Sequence, residues 1–232
     1  MVTDQQPRLP LIREAPLIRD QVYQVLLTKI ISGDLAPGDK ITERVTAGEL
    51  GISTTPVKEA LRRLENEGFV RTIPRRGIVV GENALTSFEQ VITVRAWLEG
   101  LAARLCAVRV AAGELDDVSA LTGPLALMKD PILRPVDEIV EINANFHDAI
   151  RELSGNRVIV QFVGTLLGVD AAVRKRALSD PDELQRGNAE HIDVGDAILD
   201  GDADRAEALM RSHVLRSGDH TLHAHPAEGP VS

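Results

Sequence analysis

The sequence predicts a mainly α protein in two parts: a small helix-turn-helix unit carrying a β-hairpin, then an all-helical bundle of about six helices. Three observations carry that expectation. Residues 42–68 read as helix, tight turn and second helix. Residues 69–80 read as two short β-branched strands around a basic turn. Beyond residue 81 every apolar pattern has helical spacing. A chain of 232 residues has room for two modest cores, so a domain of residues 1–80 is expected ahead of one of residues 81–225.

Taken in order, residues 1–15 contain prolines and no periodicity, and read as a mobile arm. A first helix should start after Pro16, its stripe formed by Ile18, Val22, Val25, Leu26, Lys29 and Ile30, and end near Gly33. The run from Ser32 to Asp39 is a cluster of turn residues. Thr42 can cap a short helix to about Leu50, and Gly51-Ile52-Ser53 turns the chain.

The stretch GISTTPVKEALRRLENEG, Gly51 to Gly68, is the best-marked element in the chain. Val57, Ala60, Leu61 and Leu64 share one apolar face, while Thr55, Lys58, Arg62 and Asn66 share a polar, basic one. Pro56 sits in the first turn, where its missing N–H removes no intrahelical bond, and Gly68 stands where a left-handed cap would stop the helix. Phe69–Ile73 and Ile78–Val80 follow as strands joined by Pro74-Arg75-Arg76-Gly77. A two-stranded hairpin with a basic tip is a wing, which makes the first domain a winged helix-turn-helix. After a linker at Gly81, helices are expected at about 85–112, 114–129, 136–153, 157–178, 182–200 and 203–222, with a polar, disordered tail after about His220.

The overall charge of −9 argues against nucleic acid until its distribution is considered. Residues 1–80 carry 12 Lys and Arg against 10 Asp and Glu, a balance of +2, leaving 14 against 25, or −11, for the remainder. A weakly positive first domain with a basic helix face can follow a phosphate backbone that would repel the acidic second half. No apolar run approaches the roughly 18 residues of a membrane span, and the N-terminus lacks the pattern of a signal peptide. A cytoplasmic protein with no membrane partner is expected. The single cysteine, Cys106, reads as a buried structural thiol.

In the bundle, four polar residues occupy apolar positions. Asn143 and His147 are i, i+4 neighbours on the stripe Val136, Val140, Asn143, His147, Ile150; His191 shares a stripe with Leu184, Val194 and Ile198; His213 shares one with Ala206, Leu209 and Met210. Any one of them alone reads as a core histidine bonded to a carbonyl. Three on three helices of one bundle can instead satisfy one another by binding a metal. Arg95 is a further inward oddity, open to two readings: an ion pair with Glu99 four residues on, or a guanidinium that receives a carboxylate ligand.

Two resemblances sharpen these expectations. The segments ITERVTAGELGIS and TTPVKEALRRLENEGFV, the RRG wing tip and the phrase SGDLAPGDKITE resemble the winged helix-turn-helix of the GntR family of bacterial transcription regulators. That resemblance implies DNA contacts at Arg44, Ser53, Thr54, Thr55 and Lys58, and at Arg75, Arg76 and Gly77 of the wing. Many relatives have Arg at the positions of Thr54 and Lys58, and Lys gives up planar bidentate recognition of guanine, which implies a different operator. The segments VRAWLEGLAARLCA, NANFHDAIRELSGN and AEHIDVGDAILDGDADRAEALMRSH resemble the FCD effector domain of the FadR subfamily.

Members of that subfamily commonly bind a divalent metal through an Asp and three His. The corresponding positions are Asn143, His147, His191 and His213, and Zn or Ni is the expected ion. An amide brings no charge, so the substitution at Asn143 implies weaker affinity. The family's matching arginine, here Arg95, faces the ligand cavity. The tail histidines His220, His223 and His225 are assigned no role. The implied function is a ligand-responsive regulator, most simply a repressor, that binds a palindromic operator as a homodimer and is released by a small carboxylate. A metal-sensing regulator without an organic effector is the alternative. A metal-dependent hydrolase ranks far below both, because no HExxH-like pairing supplies a general base and the helix-turn-helix would be unexplained.

Overall fold

The computed structural model describes residues 17–130, 134–166 and 180–223. The arm of residues 1–15, the extension of the helix at 157 as far as 178, and the tail beyond His223 with His225 lie outside the described residues. The N-terminal unit contains α1 (Ile18–Ile31), β1 (Lys40–Ile41), α2 (Glu43–Leu50), α3 (Thr54–Asn66), β2 (Val70–Ile73) and β3 (Gly77–Val80). The C-terminal unit contains α4 (Ala84–Ala111), α5 (Ser119–Lys129), α6 (Val136–Leu153), α7 (Arg157–Leu166), α8 (Pro181–Leu199) and α9 (Ala203–His223). The fold is mainly α, as expected. No described helix is long and apolar enough to cross a membrane.

Helix ends follow from backbone chemistry. At the end of α3, Gly68 has φ +81, its N–H donates to Glu65 O, and the Phe69 N–H donates to Leu64 O. That is the paired closure of a Schellman motif, and it needs the left-handed residue that Gly supplies. Gly51 ends α2 the same way, with Ile52 N–H on Ala47 O. The cap expected of Thr42 differs: it occupies the N-cap position in extended backbone, yet its side chain accepts no hydrogen bond.

Three further differences have local causes. The expected two-stranded hairpin is the larger part of a three-stranded antiparallel sheet in the order β1-β3-β2, because Lys40 and Ile41 pair with Val79 and Ile78. In α1 the buried face is Val22, Tyr23, Leu26, Leu27 and Ile30, whereas Ile18 and Val25 are exposed. The expected stripe was rotated, because Tyr23 turns its hydroxyl onto Glu67 Oε2 at 2.5 Å and can therefore be fully buried. Finally, α5 starts five residues later than expected, since Gly113, at φ +67, and the bond from Glu114 N–H to Arg109 O close α4 first.

The core is continuous from Tyr23, Leu64 and Phe69 through Phe88 to Phe146, Ile198 and Met210. Cys106 is buried within it, and burial pushes its thiol up to about 11, which makes it inert at neutral pH. The junction between the units is tight. Gly81 N–H donates to Phe69 O at 2.9 Å and Ser87 Oγ–H to Gly68 O at 3.3 Å, and a Cβ on Gly81 would meet Gly68 O at 3.1 Å.

Candidate functional site

The first candidate surface lies on α3 and the hairpin. Ser53, Thr54, Thr55 and Lys58 are all exposed at the start of α3, because Val57, Ala60, Leu61 and Leu64 take the opposite face into the core. Arg44 on α2 is exposed beside them in sequence order, and Arg75 and Arg76 are exposed at the hairpin tip. None of these four cations, Arg44, Lys58, Arg75 and Arg76, makes an ion pair among the described residues. Arg63 behaves differently from its exposed neighbour Arg62: it lies 3.9 Å over the Tyr23 ring and pairs with Glu67 and Asp20, so it belongs to the α1–α3 packing.

The hairpin tip is strained. The Arg76 N–H donates to Ile73 O across a turn whose third residue, Arg75, has φ +65. That left-handed conformation costs a side-chain-bearing residue about 1–2 kcal/mol. The hairpin is also tied to α3, since the Glu65 carboxylate accepts the Thr72 N–H at 2.8 Å.

The second candidate lies inside the bundle, where α4, α6, α8 and α9 meet. His147 on α6, His191 on α8 and His213 on α9 are all buried, and each offers a ring nitrogen within 4.8 Å of the others. The Nε2 atoms of His147 and His191 face each other at 3.2 Å, and Asn143 Nδ2 is 3.5 Å from the same His191 nitrogen. These residues wall a cavity of about 50 Å³ together with Phe88, Ile92, Arg95 and Arg216. Gly187 leaves room there, since nothing lies within 4 Å of where its Cβ would stand. Sequence spacing thus brought together the residues that the fold brings together.

Arg95 makes the expected pair with Glu99 and also stands on the cavity wall. It is 7% exposed, lines the cavity, and puts Nε and Nη2 at 3.3 and 3.4 Å from Glu99 Oε1. The pair is thus not the weak surface bridge that the i, i+4 spacing suggested. Sequence reasoning passed over the charged residues behind the histidines. Fully buried Glu99 also accepts from Arg151 Nη1 at 2.6 Å, and Glu190 accepts from Arg216, which in turn binds both oxygens of Glu183 at 2.7 Å. The one signal in the sequence was charge at core-facing helical positions, and it needed the tertiary partners to be read.

Electrostatics follow from these contacts. Burial opposes the Glu99 charge, but the His147 ring and the Arg151 and Arg95 guanidiniums outweigh it and hold the carboxyl well below its usual range. Burial in turn pushes His147 down to about 3, so the ring is neutral. Burial opposes the Glu190 charge too, but His213 and Arg216 together outweigh it and hold the carboxyl at about 2. The neutral His147 ring with its Nε2 facing that of His191, the His213 ring beside them and the Asn143 amide form a donor set that fits a Zn²⁺- or Ni²⁺-like ion, and behind it Glu99 Oε2 and His147 Nδ1 are buried without a hydrogen bond. The tail residues do not join it: His220 lies 3.7 Å from Glu183, and His223 pairs with Asp219 on the surface.

A winged helix-turn-helix joined to a helical cavity domain defines a class of DNA-binding regulators, and comparison with known proteins agrees. Residues 18–80 match the bacterial regulatory proteins of the gntR family, and residues 90–216 match the FCD domain. The chain belongs to the GntR family of transcriptional regulators with an FCD domain. It is 26% identical over 204 residues to a regulator in an unstable DNA locus of Streptomyces ambofaciens, covering 84% of this chain and 81% of that one. It is 24% identical to the transcriptional repressor RspR of Escherichia coli (strain K12), covering 85% and 86% respectively. In fold it resembles the E. coli protein McbR/YncC, with a TM-score of 0.60 at 19% identity, covering 90% of this chain and 99% of that one. The chain is a regulator and not an enzyme.

Proposed function

We propose that this regulator is a repressor that binds a palindromic operator as a homodimer and is released when a small carboxylate enters the histidine cavity. The observation that carries this reading is Arg95: it stands on the cavity wall and on α4, the helix that leaves the hairpin after residues 81–83. Glu99 occupies its Nε and Nη2, which leaves Nη1 for a ligand carboxylate. His147, His191, His213 and Asn143 would hold a Zn²⁺ or Ni²⁺ ion, which when bound supplies open positions for an oxygen ligand. The chain's own part is to orient the acid through Arg95 and to pass its effect along α4 to α3.

On the DNA side, Arg44, Ser53, Thr54, Thr55 and Lys58 would read the major groove while Arg75, Arg76 and Gly77 follow the backbone from the wing. Dimerisation is supported by the outer face of α4. Val94, Trp97, Leu101 and Val108 are spaced as a heptad seam and are 39–54% exposed, although the opposite face of the same helix is core. A helix apolar on both sides needs a partner on each.

The test is a titration of candidate carboxylates, with and without Zn²⁺, against operator affinity in wild type and Arg95→Ala. A coupling of about 1–3 kcal/mol between effector and operator is expected, and it must appear equally in effector affinity when DNA is added. Full response in Arg95→Ala would show that the ligand is not an acid held there. A response to Zn²⁺ alone would make the protein a metal sensor. His147→Ala, His191→Ala and His213→Ala should each abolish metal uptake.

A further inference from the structure

The three candidate ligand rings are held differently, and the difference bears on how a site with no acidic ligand can hold a cation. His213 Nδ1 lies 2.8 Å from Glu190 Oε2, at hydrogen-bond distance. A carboxylate can only accept, so Nδ1 carries a proton, and the Nδ1–H tautomer is the one that presents a bare Nε2. His147 Nδ1 faces Glu99 Oε2 at 3.9 Å, and neither of those two buried atoms makes a hydrogen bond. The ring's Nε2 lies on the other side, 3.2 Å from His191 Nε2. Both carboxylates are themselves fixed by guanidiniums, Glu99 by Arg151 and Arg95, and Glu190 by Arg216 at 2.6 and 2.8 Å.

Two chains of the same type, guanidinium to carboxylate to imidazole, therefore converge on the cavity from α4 and from α8. We propose that Glu99 and Glu190 are positioning residues of the cation site. They fix the proton of His147 and His213 on Nδ1, and from behind the rings they supply the negative charge that Asn143 does not. A carboxylate behind a ligating imidazole orients the ring and raises its basicity, and its loss costs 10- to 100-fold in metal affinity. Placing the charge one residue back has a further effect: the ligand shell stays neutral toward the cavity, so the cation keeps its attraction for an incoming anion. The proposal rests on the metal reading of the cavity.

The experiment measures Zn²⁺ affinity by chelator competition at fixed pH, together with histidine ¹⁵N shifts of the metal-free protein. Glu190, whose side chain is 26% exposed, is the decisive position, because Glu99→Gln risks unfolding the bundle. Glu190→Ala should lose 10- to 100-fold in Zn²⁺ affinity and move His213 from the Nδ1–H form toward a mixture of tautomers. Glu190→Gln, which keeps an acceptor but no charge, should keep the tautomer and lose less affinity. Adding Asn143→Asp to either variant should restore binding, a rescue that repair of folding would not produce. Asp196→Asn serves as control, since its carboxylate pairs with Lys129 and does not line the cavity. Unchanged Zn²⁺ affinity and unchanged His213 shifts in Glu190→Ala would overturn this inference alone. A wild-type protein that takes up no Zn²⁺ would overturn the metal reading and the inference with it.

Discussion

The exposed face of α2, α3 and the hairpin tip and the histidine cavity both carry cations, and they treat them in opposite ways. On α3, α2 and the hairpin tip, Lys58, Arg44, Arg75 and Arg76 are exposed and have no ion-pair partner among the described residues. Around the cavity, Arg95, Arg151 and Arg216 are each held by a carboxylate at 3.4 Å or less. Solvent explains the contrast. An exposed cation is stabilised by water until a phosphate displaces it, whereas a buried one must bring its counter-charge with it. The free charges are therefore the ones available to an external partner, and the paired ones hold geometry.

Breaking a paired charge should have the largest effect. Glu99→Ala leaves buried Arg95 without its carboxylate and Arg151 with only the exposed Asp148, and should cost about 3–5 kcal/mol in urea unfolding. Lys58→Ala should stay within about 0.5 kcal/mol in the same assay. Equal losses would erase the distinction between the two regions. Operator binding reverses the ranking at a smaller scale. Thr55→Ala and Lys58→Ala should each weaken specific binding by about 1–3 kcal/mol, while Arg75→Ala and Arg76→Ala should weaken binding to all sequences alike and lower its salt dependence. Fluorescence anisotropy against operator and scrambled duplexes separates the two outcomes.

The smallest effect sharpens the comparison through pH. Folded His147 stays neutral down to about pH 3, whereas in the unfolded chain it takes up a proton below its ordinary value of 6.5. The unfolded state therefore binds more protons as pH falls through that window, and stability drops there by at most about 1.4 kcal/mol per pH unit. Glu99, also held low, adds to the loss at the acid end. Melting temperature of metal-stripped protein between pH 7 and 4.5 should fall, with a shallower slope in His147→Gln. Arg44, Lys58, Arg75 and Arg76 stand on the other unit, away from His147 and Glu99, so their variants should keep the wild-type slope.

How much of this was legible in the sequence follows from the range of each interaction. Helix α3 and its Gly68 stop were readable because both are set within a turn of chain, and α6 was placed at 136–153 as observed. The three histidines were readable because each interrupts an apolar stripe. Strand β1 was not, because two residues make no periodicity and Lys40 and Ile41 are strand only by virtue of β3. The rotation of α1 was hidden in a Tyr23 hydroxyl whose partner is 44 residues away. Glu99 and Glu190 look like ordinary helix carboxylates until Arg151 and His213 arrive from elsewhere in the chain.

The close junction at Gly81 has a mechanical consequence. With Gly81 and Ser87 bonded to the carbonyls of Phe69 and Gly68, the start of α4 moves with the hairpin root, and through the contact between Glu65 and Thr72 with α3 as well. Arg95 is eleven residues from Ala84, a lever arm of about 16 Å at 1.5 Å per residue. A tilt of about 5° about Arg95 then swings the helix start by roughly 1.4 Å, a displacement of the size seen in helix shifts at allosteric interfaces. In a two-fold assembly both arms swing together, so the gap between the two α3 helices changes by up to twice the motion of either. On the proposed reading, a ligand that turned the helix slightly would present the DNA with a different span.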